Sequence, residues 1–307
     1  MSRMELADAL NRQMDGNRNL NLLHGGTVAL YRIDPAFLAA VEELSCGTDG
    51  PVRGAPTDLI PIAVDLFIDR LYRKNQFLQV DRGKRERLEG IYAATWSAIR
   101  ESGDIEGTLR SLHYPALMRW TADAYPESFR APLASAREIG EIPCAEYSAR
   151  LQGRLFRIGP EEWLEPVLDI GCGRSAFLVR HLRSMGLEAV GIDRVAEPGS
   201  PFLARADWFS YGYGKDRWGT VTANMSFSNH FRYAQRYEKD AVGRYAAVYG
   251  AILDSLKPGG VFLYAPGLPL LEEGLDVAEY GCSKWDAVDG YSVSRVRRSP
   301  RGAASRS

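Results

Sequence analysis

No stretch of this sequence approaches the roughly 20 uninterrupted apolar residues that a bilayer span requires. Its opening, MSRMELADALNRQMDGNRNL, has no apolar core of the signal-peptide kind. No membrane partner is therefore expected, and the chain is assigned to the cytoplasm. Cysteine is scarce: Cys46, Cys144, Cys172 and Cys282 lie far apart and form no CxxC pair. That argues against a zinc centre and a disulfide framework and suits a reducing compartment. No cluster of His, Asp and Glu has metal-ligand spacing, so no metal is expected either. Charge of one sign is also lacking, since 38 Lys and Arg face 39 Asp and Glu for a net charge of −1. Without a positive excess, nucleic acid is not an expected partner. No internal repeat is present.

What is present is a chain of 307 residues, 45% of them hydrophobic, enough for one large or two ordinary domains. Residues 1–150 carry helical signals and read as a helical N-terminal lid or cap domain. TDLIPIAVDLFIDRLYRKNQFL has N-cap candidates in Thr57 and Asp58, followed by apolar positions at helical spacing. RERLEGIYAATWSAIRESG ends on a C-cap candidate at Gly103, and YPALMRWTADAYPESF continues the pattern. SCGTDGPVRGAP, at 45–56, reads as a loop by its Gly and Pro content. Arg82, Lys84, Arg85 and Arg87 read as a solvated helix face rather than a nucleic-acid stripe.

From about residue 160 the texture changes. PVLDIG reads as a strand, SAFLVRHLRSMG as a helix ending at Gly186 and LEAVGID as a second strand, together a βαβ unit. WGTVTANMSF reads as another strand, YEKDAVGRYAAVYGAILDSLKPGG as one long helix and GVFLYAPG as the strand after it. The expected fold class is α/β, a Rossmann-like, doubly wound and mostly parallel sheet over 151–297. Residues 298–307 are polar and aperiodic and read as a disordered tail.

In such a sheet, ligands bind beyond the carboxyl ends of the strands. Gly171 and Gly173 let the backbone approach a ligand, and the helix that follows offers free N–H groups. Asp193 ends the second strand about 20 residues beyond the glycines, where a carboxylate can accept from two ribose hydroxyls. GCGRSA also matches a dinucleotide turn. Asp169 sits just before the turn, however, where it would repel a pyrophosphate and attract an ammonium. The pattern favours a ligand with an amino-acid end.

VLDIGCGRSAFL, AVGIDR, RADWF, TANMSFSNHF and LKPGGVFLYAPG, in this order and spacing, resemble the successive motifs of the class I S-adenosylmethionine-dependent methyltransferase superfamily. The match covers roughly 163–297 and implies S-adenosylmethionine as cofactor or substrate. It implies that Asp169, Gly171, Cys172, Gly173 and Ser175 hold the methionine end. Asp193, with Arg194 beside it, would hold the ribose, and Asp207 with Trp208 the adenine. Asn224, Met225 and Ser226 would lie at the fourth-strand end next to the sulfonium. Three of these residues keep a second reading: Asp169 as a helix-capping group, Cys172 as a small turn residue, and Trp208 as a core residue. His230 in SNHF is either a general base or a packed, hydrogen-bonded histidine. The segment lacks the N-P-P-Y sequence of the nucleic-acid and protein amide methylating families, so a small molecule is the expected substrate.

Within the superfamily, the helical N-terminal region, the EYS segment, SFSNHF and the short end after VFLYAPGLPLLEEGLD are similar to the azetidine-2-carboxylate synthases of bacterial specialised metabolism. That resemblance implies cyclisation of S-adenosylmethionine itself, with release of 5′-methylthioadenosine. Glu146, Tyr147 and Ser148 would then fold over the ligand, with the Tyr147 ring facing the sulfonium. Arg150 or Arg154 would pair with the carboxylate. Asn224, Ser226, Ser228 and Asn229 would aim the amine. A surface helix joining two domains is the other reading of this segment. The alternatives to cyclisation are conventional methylation of a small molecule and binding without catalysis. A helical region of this kind serves as a cover or as a dimer contact, which leaves a homodimer open.

Overall fold

The computed structural model describes residues 3–46, 59–125, 127, 130, 133–139, 146–197, 199–287 and 290–300. The chain divides into two compact units, Met1–Cys144 and Ala145–Ser307. The first is helical: α1 Arg3–Asp15, α2 Pro35–Cys46, α3 Leu59–Lys74, α4 Arg82–Ser102, α5 Ile105–Thr108 and α6 Tyr114–Ala124. A π-helical turn, Leu109–His113, joins the last two.

Helix α4 has local causes at both ends. The Asp81 side chain accepts from the Lys84 backbone N–H at 2.8 Å, and Gly103, at φ +70°, turns its own N–H back to the Ile99 carbonyl. Its buried residues Leu88, Thr95 and Ile99 share one face. Arg82 and Arg85 pair with Glu86, Asp65 and Glu89 at 2.7–3.0 Å on the outer side, as a solvated face requires. Ser45 and Cys46, expected in a loop, instead complete α2, whose preceding residues AFLAAVEEL are good helix formers. The rest of that loop and the caps Thr57 and Asp58 lie outside the described residues.

The second unit is built on a seven-stranded sheet in the order β3-β2-β1-β4-β5-β7-β6. Its elements are α7 Ala149–Phe156, β1 Val167–Ile170, α8 Phe177–Ser184, β2 Ala189–Asp193, β3 Leu203–Arg205, β4 Trp218–Asn224, α9 Phe227–Tyr237, α10 Val242–Ser255, β5 Leu256–Ala265, α11 Pro269–Glu272, β6 Tyr280–Asp286 and β7 Ser292–Arg298. All neighbours pair parallel except β7, which runs against both β5 and β6. This is the Rossmann-like, doubly wound and mostly parallel sheet expected from the sequence.

Alternation along the strands covers both faces. Leu168, Ile170, Phe262 and Tyr264 pack with Phe227 and Phe231 of α9 and Tyr245 and Ile252 of α10. On the other face Val167 packs with Leu178 and Leu182 of α8, while Val261, Leu263 and Ala265 meet Phe156 of α7. Each fully buried Phe contributes roughly 1.5–3 kcal/mol by transfer from water.

Three sequence expectations need correction here. The stretch expected as one long helix from Tyr237 is broken: α9 ends at Tyr237, a 3-10 turn covers Lys239–Ala241, and α10 stops at Ser255. Glu238, at φ −136° and ψ 60°, leaves the helical region, and Leu256 is already extended. Met225–Phe227 does not continue β4, because Met225 turns the chain and Phe227 opens α9. The tail does not begin at 298: Arg298 ends β7, pairs with Asp216 and Glu279 and donates to the Leu256 carbonyl. Residues 301–307 lie outside the described residues. No described helix is long and apolar enough to cross a membrane.

Candidate active site

Strand order reverses between β1 and β4, and the crevice at their carboxyl ends is where a doubly wound sheet receives its ligand. Residues far apart in sequence meet there. Asp169 lies opposite Thr222 across the β1–β4 pair, and the Thr222 hydroxyl donates to Asp169 Oδ1 at 2.7 Å. Asp169 is 3% exposed and forms no ion pair among the described residues. Burial pushes its carboxyl up to about 7, the Thr222 hydrogen bond draws it down, and the nearby Asp193 charge raises it.

The turn after β1 is shaped by its neighbours. Gly171, at φ +73°, has no room for a Cβ, which would overlap Ser226 Cβ. Ser226 approaches this closely because its hydroxyl donates to the Ile170 carbonyl at 2.7 Å, tying the end of β4 to the end of β1. Gly173, at φ +75°, donates its N–H to Asp193 Oδ2 at 2.9 Å, and a Cβ there would stand 3.0 Å from Glu146 Oε1. The other oxygen of Asp193 accepts from Val195 N at 3.0 Å. Asp193 thus fixes the turn while its remaining lone pairs stay available to a diol.

Glu146 is the residue of the EYS segment that reaches the turn: its Oε1 accepts from the Ser175 backbone N–H at 3.1 Å. Ser148, assigned to the ligand, is the N-cap of α7 and accepts from Leu151 N. One lone pair of its hydroxyl serves the helix, and its hydrogen is left to donate. Tyr147 is half-buried, and its carbonyl accepts from Gln152 Nε2. Arg150 and Arg154 are exposed and border a groove with His181 and Met185, toward the C-terminal end of α8. Arg150 lies four residues from Glu146, which reaches the glycine turn. Glu146, Tyr147 and Ser148 also belong with the sheet unit, because α7 packs Phe156 onto β5.

At the end of β4, Met225 holds φ +52°, a left-handed backbone unusual outside glycine. Its N–H donates to the Ala265 carbonyl at 2.8 Å, and its own carbonyl accepts from Asn229 Nδ2 at 2.9 Å. Asn224 Oδ1 is buried and has no partner among the described residues, an acceptor beside the crevice. The Ser228 hydroxyl likewise is buried with no partner among the described residues.

His230 sits inside the core rather than at its edge. It is 5% exposed and packs edge-on to Trp208 with ring centroids 4.6 Å apart. Burial and the Arg194 guanidinium hold it well below its ordinary value, so the ring is neutral at pH 7. Packing, not general-base work, is what its surroundings favour. Trp208 joins the same core against Phe227 and Phe209, with the Arg194 guanidinium 5.7 Å from its ring. Its Nε1–H is buried with no partner among the described residues. Asp207 accepts from Phe209 N at 2.8 Å and shapes the loop after β3. Burial pushes the Cys172 thiol up, helped by the Asp169 and Asp193 charges, which makes it a turn residue and a poor nucleophile.

Thr222 was not singled out from the sequence. It carries a signal only in three dimensions, as the residue facing Asp169 across a parallel pair 53 positions away.

No family model and no curated protein matches this chain. Solved structures resemble it weakly. A 1,6-didemethyltoxoflavin-N1-methyltransferase from Burkholderia thailandensis, with bound 1,6-didemethyltoxoflavin and S-adenosylhomocysteine, is 17% identical, covering 61% of this chain and 89% of that one at a TM-score of 0.36. The N-methyltransferase NodS from Bradyrhizobium japonicum is 14% identical, covering 50% and 94% at 0.33. The [4+2]-cyclase SpnF is 15% identical, covering 52% and 84% at 0.36. At these scores the likenesses carry no argument, and the fold rests on the strand order of the chain itself.

Proposed function

We propose that the sheet unit binds S-adenosylmethionine in the β1–β4 crevice and cyclises it to azetidine-2-carboxylic acid, releasing 5′-methylthioadenosine. The observation that carries this reading is Asp169, a buried carboxyl beside a glycine turn with no cation of its own among the described residues. A ligand ending in an α-ammonium supplies that charge. A carboxyl near 7 is also matched to taking a proton at neutral pH, and the ammonium must lose one before its nitrogen can attack.

The step balances as follows. The ammonium proton passes to Asp169, and the nitrogen lone pair forms a bond to Cγ. The Cγ–S electron pair leaves on sulfur, so the sulfonium departs as a neutral thioether. The ring nitrogen then carries the positive charge. Asn224 Oδ1 accepts an amine N–H and aims the lone pair, while Asp193 holds the ribose and Asp207 the adenine. Tyr147, placed over the sulfonium, would add cation–π attraction on the order of 0.5–2 kcal/mol. His230, the candidate base for a methyl acceptor, is enclosed in the core against Trp208, away from a second substrate.

The test is incubation of the full chain with S-adenosylmethionine alone, followed by mass spectrometry. 5′-Methylthioadenosine and azetidine-2-carboxylate in equal amounts are expected, and Asp169→Asn should abolish both. S-adenosylhomocysteine formed only with an added acceptor would instead establish a small-molecule methyltransferase. Binding without either product would make the unit a receptor.

A further inference from the structure

Helix α7 carries a charge pattern that the cyclisation reading does not use. Arg150, Arg154 and Arg157 recur four and three residues apart, so they share one side of the helix and its C-cap. With His181 of α8 they line a groove of about 410 Å³, and no Asp or Glu lines it. Glu162, bonded to a lining residue, is taken up by the Gly159 N–H at 2.6 Å. Among the described residues, the side chains of Arg150, Arg154 and His181 make no hydrogen bond or ion pair. The Arg157 guanidinium makes no ion pair there and lies 5.5 Å from the centre of the Trp285 ring. Other arginines of this unit are neutralised: Arg180 pairs with Glu197, and Arg298 with Asp216 and Glu279.

The sequence departs from what helix stability favours at three points here. Like charges three and four residues apart repel each other on a helix. Arg157 caps α7 at φ 49° and ψ 45°, a left-handed backbone where glycine is the usual residue. Gly153 lies inside the helix, where alanine is more stable, although a Cβ there would meet nothing closer than the Ile158 carbonyl at 3.8 Å. What these choices leave is a wide groove with a concentrated positive charge. Its apolar wall comes from Ile158, Trp163 and Leu178, the last two buried. The volume lies in the range of small-molecule sites, and guanidinium forks match phosphate oxygens two at a time.

We propose that this groove binds a small organic phosphate, its phosphate held by Arg150, Arg154 and Arg157 and its apolar body against Ile158, Trp163 and Leu178. The inference does not depend on the reaction assigned to the crevice. The probe is naphthyl phosphate, titrated calorimetrically into the full chain. Saturable one-to-one binding is expected, weakening as salt is raised. Inorganic phosphate, without the apolar body, and naphthol, without the charge, should each bind at least about tenfold more weakly. Arg154→Gln should weaken the probe by about threefold to tenfold, the worth of charge-assisted hydrogen bonds open to water. The same variant should melt at or above the wild-type temperature, because a like-charge pair is removed, whereas loss of a merely structural arginine would lower it. Arg157→Gly should behave alike. Saturating S-adenosylmethionine should leave the affinity for the probe unchanged; displacement would assign these arginines to the crevice and overturn the proposal. So would absence of saturable heat, equal affinity for the probe and naphthol, or undiminished affinity in Arg154→Gln.

Discussion

The Asp169 carboxyl titrates at about 7 in the folded chain against 3.8 for an ordinary aspartate, with burial as the first cause. The folded state therefore keeps a proton that the unfolded chain has lost. Stability from the protonated form is complete below about pH 4 and is lost as pH rises toward and through 7. Asp169→Asn should remove that slope and make the unliganded protein more stable than wild type at pH 8, on the order of a few kcal/mol, as read by denaturant unfolding across pH. The same variant should bind S-adenosylmethionine more weakly. For wild type, affinity should rise between about pH 6 and 8 as the carboxylate forms. A parallel pH profile in the variant would assign the effect to another group. At Gly171 the expected result is the opposite in sign for stability. Gly171→Ala should destabilise by at least ~1–2 kcal/mol from the left-handed backbone alone, with the Ser226 overlap adding to it.

Among the elements, what could be read from the sequence depended on how local the cause was. β1, β2, β4 and the second half of β5 are apolar runs, and α4 carries its own caps, so all five are visible in a single pass along the chain. β6 was not, because YGCSKWD is mostly exposed and lacks an apolar face. Helix α9 was hidden for another reason: Phe227, Phe231 and Ala234 do lie at helical spacing, yet Phe227 follows β4 so closely that its run reads as one strand. The break is made by Met225, whose left-handed backbone nothing in its side chain announces. Met225→Gly should therefore keep or raise stability by up to ~1 kcal/mol, since glycine adopts that conformation without penalty. If the thioether also faces the sulfonium, ligand affinity should fall in the same variant. Thermal melts and calorimetry on one preparation separate the two effects. The glycine turn, Asp169 and Asp193 were legible from spacing. The Thr222 partner, the Ser226 tie and the enclosure of His230 were not, because each depends on which strands become neighbours.

At the scale of the whole molecule, each unit has its own apolar core. Each is therefore expected to have its own unfolding transition. S-adenosylmethionine at 100 times its dissociation constant should raise one transition by about 2.7 kcal/mol and leave the other in place. Differential scanning calorimetry reads this directly, and a single transition that shifts as one would show the cores to be coupled. The sheet itself imposes an order in time. β7 is made after β6 yet lies between β5 and β6, pairing with both. While the chain emerges from the ribosome, β5 keeps an open edge and Tyr280–Asp286 has no strand to join. Only when Ser292–Arg298 appears can both be closed, and Arg298 then locks them through Asp216, Glu279 and the Leu256 carbonyl. The last strand of the described chain is thus the keystone of the sheet, and the nascent protein has to protect an apolar edge until that strand arrives.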